Sequence, residues 1–340
     1  MTHPAPSLVG RDPRVPAGEL LAALVPTRHF AACTFDTYLP DPAHPSQAEA
    51  QARLREVAAA LTARRAPSWS RALRRSTSGG PPAVYLDGGF GVGKTHLLAA
   101  LASAVGPEVS TYGSFVEYTH LVGALGFAPT VAALSGHRLV CIDEFELDDP
   151  GDTVLMSRLL RELADAGVTL AATSNTLPES LGEGRFAAED FLREIRALAA
   201  RFEVLRIDGP DYRHRHAVEP GRGLPDAQVR ARVAATPGAT CDAFDALLSH
   251  LRTVHPSRYG ALLDGVRLVG LTGVGPVLDQ ADALRLVVLV DRLYDQDVPV
   301  LLGGQGTSGL FGPTMLRGGY RKKYLRALSR LDELTEPVVG

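Results

Sequence analysis

Three stretches of this sequence predict an α/β fold: a parallel sheet sandwiched by helices, followed by a smaller C-terminal α/β domain. The first is a short apolar run at 83–86 that feeds Gly88-Gly89-Phe90-Gly91-Val92-Gly93-Lys94-Thr95 and then an alanine- and leucine-rich segment with helical spacing. The second is Leu139-Val140-Cys141-Ile142, which ends in Asp143-Glu144. The third is Val168-Thr169-Leu170-Ala171-Ala172, which ends in Thr173-Ser174-Asn175. Short buried runs alternating with helical patterns read as βα units on a parallel sheet. In such sheets, ligands collect beyond the carboxyl ends of the strands.

The elements follow in order. Residues 1–25 form a polar, proline-containing lead with a helical patch at 19–24, expected to be flexible. A helix is expected over 46–64, with Ser46 as its N-cap ahead of a regular apolar face. Upstream of it, Phe35-Asp36-Thr37-Tyr38 offers either an aromatic wall for a purine base or a hydrophobic clamp on the core. Residues 65–80 carry Trp69, Arg71, Arg74 and Arg75 among Ser and Gly and read either as a basic contact for nucleic acid or acidic lipid or, the favoured reading, as a solvated connector. A strand at 108–112, a helix at 115–125 closed by Gly126, and a short helix at 131–134 lead to the Asp-Glu strand. A helix at 153–166 follows, its start marked by Asp148, Asp149 and Asp152, which suit the positive end of a helix. After the Asn175 strand come a helix over 186–201 and a last core strand at 203–207. The expected organisation is a core over 26–213, a Gly/Pro-rich linker over 214–240 and the smaller domain over 241–340. In that domain, helices are expected at 244–251, 280–294 and 324–334, and strands at 266–271 and 298–302.

The glycine-rich stretch fits G-x-x-x-x-G-K-[ST] at every fixed position and sits between a strand and a helix, the context a P-loop needs. Its glycines let backbone N–H groups converge on phosphate oxygens, and the following helix adds its positive end. Gly88, Gly89, Phe90, Gly91, Val92, Gly93, Lys94, Thr95 and His96 are therefore the expected nucleotide-binding residues, with Lys94 reaching the β/γ-phosphates of ATP. Thr95 and Asp143 are the expected Mg²⁺ ligands. Glu144 is placed to polarise the attacking water, and Asn175 either senses the γ-phosphate or simply turns the chain. The order P-loop, Asp-Glu strand, Asn strand points to an AAA+ ATPase sheet. Arg201, in competition with Arg193 and Arg196, is the candidate finger toward a neighbouring subunit's phosphate, or a dipole-favoured helix-end arginine. Arg285, Arg326 and Arg330 either contact phosphate from the smaller domain or lie on its surface.

Composition bounds the rest. A chain of 340 residues with 45% hydrophobic and 21% charged residues is ordinary for a globular protein. The net charge of −3 supplies no global field for nucleic acid. Cys33, Cys141 and Cys241 are far apart, with no metal-ligand spacing and no disulfide framework. His214 and His216 lack partners to complete a metal set and read as part of the linker. No N-terminal apolar segment and no apolar run of ~18 residues occurs, so a cytoplasmic chain is expected.

Several stretches resemble the ZapE/AFG1-like family of AAA+ ATPases. They are Phe35-Asp36-Thr37-Tyr38 with Pro45-Ser46-Gln47, Gly88 to Thr95, Ile142-Asp143-Glu144-Phe145 with Asp148, Asp152 and Leu155, and Ala172-Thr173-Ser174-Asn175. More particular are Asp211-Tyr212-Arg213, Leu289-Val290-Asp291-Arg292-Leu293-Tyr294-Asp295 and Leu328-Ser329-Arg330-Leu331. The resemblance implies ATP hydrolysis, homo-oligomeric assembly, a protein client in cell division with FtsZ as the family partner, and peripheral association with the inner face of the membrane. The segment between the P-loop helix and the Asp-Glu strand is shorter than in the family, and Arg201 matches no family motif. The alternative is a nucleic-acid-directed AAA+ ATPase of the helicase-loader type; a nucleotide-binding scaffold without turnover is disfavoured by the intact Asp143-Glu144 pair.

Overall fold

The computed structural model describes residues 6–63, 83–89, 91–145, 150–174, 200–210 and 221–335. The chain divides into two compact units, Ala17–Arg215 and a second made of Met1–Pro16 with His216–Gly340.

The first unit holds a five-stranded parallel sheet in the order β2-β3-β4-β1-β5. Its elements are α1 (Ala17–Ala22), α2 (Pro45–Ala63), β1 (Ala83–Gly88), α3 (Lys94–Val105), β2 (Ser110–Ser114), α4 (Phe115–Leu125), α5 (Phe127–Leu134), β3 (Leu139–Asp143), α6 (Pro150–Asp165), β4 (Thr169–Ser174) and β5 (Phe202–Ile207). β1, β3 and β4 are buried almost throughout, as expected for parallel strands covered on both faces. One face packs Leu54, Val57 and Leu61 of α2 against Leu97, Leu98 and Leu101 of α3 and Val84 and Leu86 of β1. The other packs Tyr118 and Leu121 of α4 with Met156, Leu159, Leu160 and Leu163 of α6 against Tyr85, Val140, Ile142 and Leu170. The β2–α4 junction is set by a capping box: Ser114 accepts from the Glu117 amide, and the Glu117 carboxylate accepts from the Ser114 amide.

Parallel register decides what meets what. β4 lies between β1 and β3, with Asp87 opposite Ser174 and Ile142 opposite Ala172. The ends of β1, β3 and β4 therefore carry Gly88, Asp143 and Thr173-Ser174 to one edge of the sheet.

The second unit has a three-stranded parallel sheet, order β6-β7-β8, from β6 (Ala239–Ala243), β7 (Leu268–Thr272) and β8 (Val300–Leu302). Its main helices are α7 (Asp226–Ala234), α8 (Phe244–Leu251), α9 (Gln280–Asp295) and α10 (Arg321–Thr335). α9 and α10 meet across a partly buried carboxylate, Asp291, which pairs with Arg326 at 2.9 Å and with Arg330. The Arg330 guanidinium also lies over Tyr294, whose hydroxyl donates to Glu333 at 2.9 Å.

Two boundary expectations are corrected. The lead over 1–25 is not one flexible piece. Leu8 is fully buried in the core of the second unit. Asp242, at the end of β6, accepts from the Leu8 amide at 3.0 Å, the Val9 amide at 3.3 Å and the Ser7 hydroxyl. Arg11 donates to the Leu262 carbonyl at 2.7 Å. Residues 17–24 belong instead to the first unit, where the Leu24 carbonyl accepts from the Tyr112 amide. Nor is 214–240 all linker: α7 seats Val229 and Val233 in a small core with Ala239 and Leu268. Smaller differences fall at β2, which starts at Ser110, and at α2, which starts one residue before Ser46.

Candidate active site

The P-loop backbone is shaped by what surrounds it. Gly93 has φ 87° at the start of α3, and an added Cβ would sit 2.6 Å from the Tyr38 ring. At Gly88, an added Cβ would sit 2.2 Å from the Ile207 carbonyl oxygen of β5. Only glycine fits either place. Phe35 and Tyr38 are core residues, so the aromatic run upstream is a clamp. The Tyr38 hydroxyl donates to the Val92 carbonyl at 3.1 Å. His96 Nε2 lies 3.0 Å from the Thr37 hydroxyl and 3.1 Å from the Thr34 carbonyl, which ties α3 to the same run. Ser46 is not the N-cap expected of it; its hydroxyl accepts from the Asp208 amide at 3.0 Å. Gln47 donates to the Asp208 carbonyl at 2.8 Å and accepts from the Asp41 amide at 2.9 Å. These bonds fasten the chain leaving β5 beside Val92 of the loop.

Lys94 is buried, and its ammonium donates to the Gly88 carbonyl at 2.7 Å and the Gly89 carbonyl at 2.5 Å. The Asp87 carboxyl beside it is pushed up by burial, with the charges of Arg206 and Lys94 pulling the other way. Thr95 Oγ1 lies 3.3 Å from Asp143 Oδ1, so the two expected metal ligands do converge. Asp143 Oδ1 also accepts from the Thr173 hydroxyl and, at 3.2 Å, from the Glu144 amide, while Oδ2 accepts from the Tyr112 hydroxyl at 2.8 Å. Burial, then the neighbouring Glu144, raises the Asp143 carboxyl; the hydroxyls of Thr173, Tyr112 and Thr95 oppose the rise. Burial and the Asp143 charge hold the Tyr112 phenol well above its ordinary value, so it remains a donor. A partly buried carboxylate beside a threonine hydroxyl is a hard oxygen donor set of the kind Mg²⁺ takes.

Glu144 has φ 53°, a conformation costly for a residue with a Cβ. Thr173 holds it there: its hydroxyl accepts the Glu144 amide at 3.0 Å and its carbonyl accepts the Phe145 amide at 2.7 Å. Phe145 is itself buried against Tyr85 and Phe115. The sharp turn after Asp143 is thus over-determined, and it sets the direction of the acid that follows.

Not every expected residue joins this cluster. Phe90, Asn175, Arg193, Arg196, Asp148, Asp149, Trp69, His214 and His216 lie outside the described residues, as does Asp211-Tyr212-Arg213. Arg201 sits at the start of β5, where Phe202 is opposite Ala83, and pairs with Asp165 at 2.9 Å. That is the amino edge of the sheet, away from this chain's own P-loop. Arg326 and Arg330 are taken up by Asp291, and Arg285 lies 3.7 Å from Asp282. Sequence reasoning missed Thr173 and Tyr112. Thr173 had a usable signal, because strand alternation puts it on the same face as Asn175.

A P-loop strand, a neighbouring strand ending in Thr173-Ser174 and a third ending in Asp143-Glu144, together on a helix-flanked parallel sheet, define an ATPase of the AAA+ P-loop class. A model of the AFG1-like ATPase family matches residues 15–224 and 219–339, and the chain belongs to that family. The cell division protein ZapE of Escherichia coli is 26% identical over 296 residues, 74% of this chain and 77% of that protein. An uncharacterized protein of Schizosaccharomyces pombe is 28% identical over 152 residues, 40% of this chain, and the match spans only 34% of its own length. Among solved structures, AMPPCP-bound DnaA from Aquifex aeolicus is similar with a TM-score of 0.37 and 14% identity, over 52% of this chain and 50% of that one. No helix among the described residues is long and apolar enough to cross a membrane.

Proposed function

We propose that this chain is a Mg²⁺-dependent ATP hydrolase that remodels or regulates a protein client in cell division. The observation that carries the reading is the meeting of Lys94, Thr95, Asp143 and the strained Glu144 on one edge of the sheet. The amides of the loop from Gly88 to His96 bind the phosphates, with the start of α3 adding its dipole. Lys94 exchanges its bonds to the Gly88 and Gly89 carbonyls for β/γ-phosphate oxygens. Thr95 and Asp143 would hold Mg²⁺, which when bound neutralises charge developing on the phosphates. Glu144 orients and polarises the attacking water, and Asn175 senses the γ-phosphate. Arg201, at the far edge of the sheet, acts only toward another copy of the chain, in a homo-oligomer.

The name and coverage of the Escherichia coli relative support a division role, with FtsZ as the client that the family resemblance implies. The assembly then works in the cytoplasm, with peripheral contact at the inner membrane face. The test is phosphate release from ATP with Mg²⁺ or with EDTA, for the wild type and Lys94→Ala. Release that needs Mg²⁺ and is lost in Lys94→Ala supports the reading; equal release in EDTA refutes it.

A further inference from the structure

The two oxygens of Asp143 have different surroundings. Oδ1 faces Thr95, Thr173 and the Glu144 amide. Oδ2 takes the Tyr112 hydroxyl, which reaches it from the neighbouring strand β2. In the β2–β3 register it is Ser114 that stands opposite Asp143, while Tyr112 stands opposite Cys141. The phenol therefore runs along the sheet toward the carboxyl edge to meet the acid. Its own place is fixed: Tyr112 is buried, and its amide donates to the Leu24 carbonyl at 2.8 Å. Gly113 next to it leaves room for Leu24, since an added Cβ would meet Leu24 Cδ2 at 2.8 Å. A buried ring pinned at its backbone makes a directional donor, and a donor on one carboxylate oxygen turns the other away from it.

We propose that Tyr112 is a positioning residue for the metal end of the ATP site, holding Oδ2 of Asp143 so that Oδ1 is the oxygen turned toward Thr95. The proposal rests on the reading of Thr95 and Asp143 as the Mg²⁺ ligands. Its consequence is specific: the Tyr112 hydroxyl matters to the metal and not to the nucleotide alone. The rest of the ring serves the core, as part of the cluster that also holds Leu101, Leu139 and Cys141.

Tyr112→Phe deletes the hydroxyl and keeps the ring. Mn²⁺ uptake by the full chain with ADP, followed by the electron paramagnetic resonance of free Mn²⁺, reads the metal without turnover. The expected result is Mn²⁺ binding about 10-fold weaker, the size typical of losing a partner that orients a ligand. ADP binding in EDTA should be unchanged, and the Mg²⁺ concentration for half-maximal phosphate release should rise by a similar factor. Wild-type Mn²⁺ binding by Tyr112→Phe overturns the proposal. So does an equal loss of ADP binding in EDTA, which would mark a purely structural role. Asp143→Asn separates the two claims. If it abolishes Mn²⁺ binding while Tyr112→Phe does not, only the positioning role falls; if it leaves Mn²⁺ binding intact, the metal site itself is wrong.

Discussion

Thr173→Val is a sharp perturbation of this site because valine keeps the shape of threonine and removes only its hydroxyl. That hydroxyl has two jobs: it donates to Asp143 Oδ1 and accepts the Glu144 amide at 3.0 Å. A hydrogen bond to a charged group contributes about 1.5–3 kcal/mol, and an ordinary one about 1 kcal/mol. The Glu144 amide keeps its longer contact to Asp143 Oδ1 at 3.2 Å, so the second loss is partial. The net cost is then about 2–3 kcal/mol. Against it stands the intrinsic penalty of Glu144 at φ 53°, about 1–2 kcal/mol for a residue with a Cβ. The loss matches or exceeds that penalty, so Glu144 relaxes out of its strained turn and the acid leaves its catalytic direction. With the hydroxyl gone, a strain of about 1–2 kcal/mol leaves the catalytic turn roughly 6- to 30-fold less populated, and kcat falls by about that factor. Steady-state phosphate release gives kcat and KM, and the melting temperature in EDTA gives the stability cost. Thr173→Ser, which restores a hydroxyl, should recover most of the rate. A Thr173→Val protein with wild-type kcat would refute the reasoning, because Glu144 would then hold its geometry without the clamp.

Leu8→Ala should cost the second unit about 3 kcal/mol, the lower part of the range for a fully buried leucine, because a short N-terminal segment can detach. Chemical denaturation followed at that unit reads it, and a loss below about 0.5 kcal/mol would mean that Leu8 does not seat in the core. Asp291→Asn should cost about 3 kcal/mol by leaving the Arg326 and Arg330 guanidiniums without their carboxylate. Burial pushes the Asp291 carboxyl up, but the two arginines overcome it and hold the group below its ordinary value. Its stabilisation is therefore complete above the unfolded value near ~3.9 and is lost as pH falls through the depressed folded value. Wild type and Asp291→Asn should converge in melting temperature only in that acidic window, and convergence at neutral pH would contradict the pairing.

What the sequence could show depended on how local each determinant is. The glycine spacing from Gly88 to Thr95 and the apolar run ending in Asp143-Glu144 carry their chemistry in consecutive residues, and they were legible. Thr173 and Tyr112 act across strand neighbours, and a pairing register is not written in any one stretch. The lead misread as flexible shows one buried leucine among prolines and polar residues; what holds it is Asp242, far along the chain. α7 hides its two valines among arginine, alanine and glutamine, too sparse an apolar face to stand out. β6 carries Thr240, Cys241 and Asp242 and lacks the apolar run of a core strand. The runs around Asp291 and Arg330 were recognised as distinctive, yet their role is a helix-to-helix lock that only the packing of α9 on α10 reveals.

Glu144 is the residue proposed to activate water, beside Lys94, Thr95 and Asp143. The most direct measurement is ATP affinity and phosphate release for Glu144→Gln in Mg²⁺, on one preparation. Glu144→Gln should bind ATP as the wild type does and release phosphate at least about 100-fold more slowly, the lower range for losing a general base. Turnover at the wild-type rate, with ATP still bound, would contradict it.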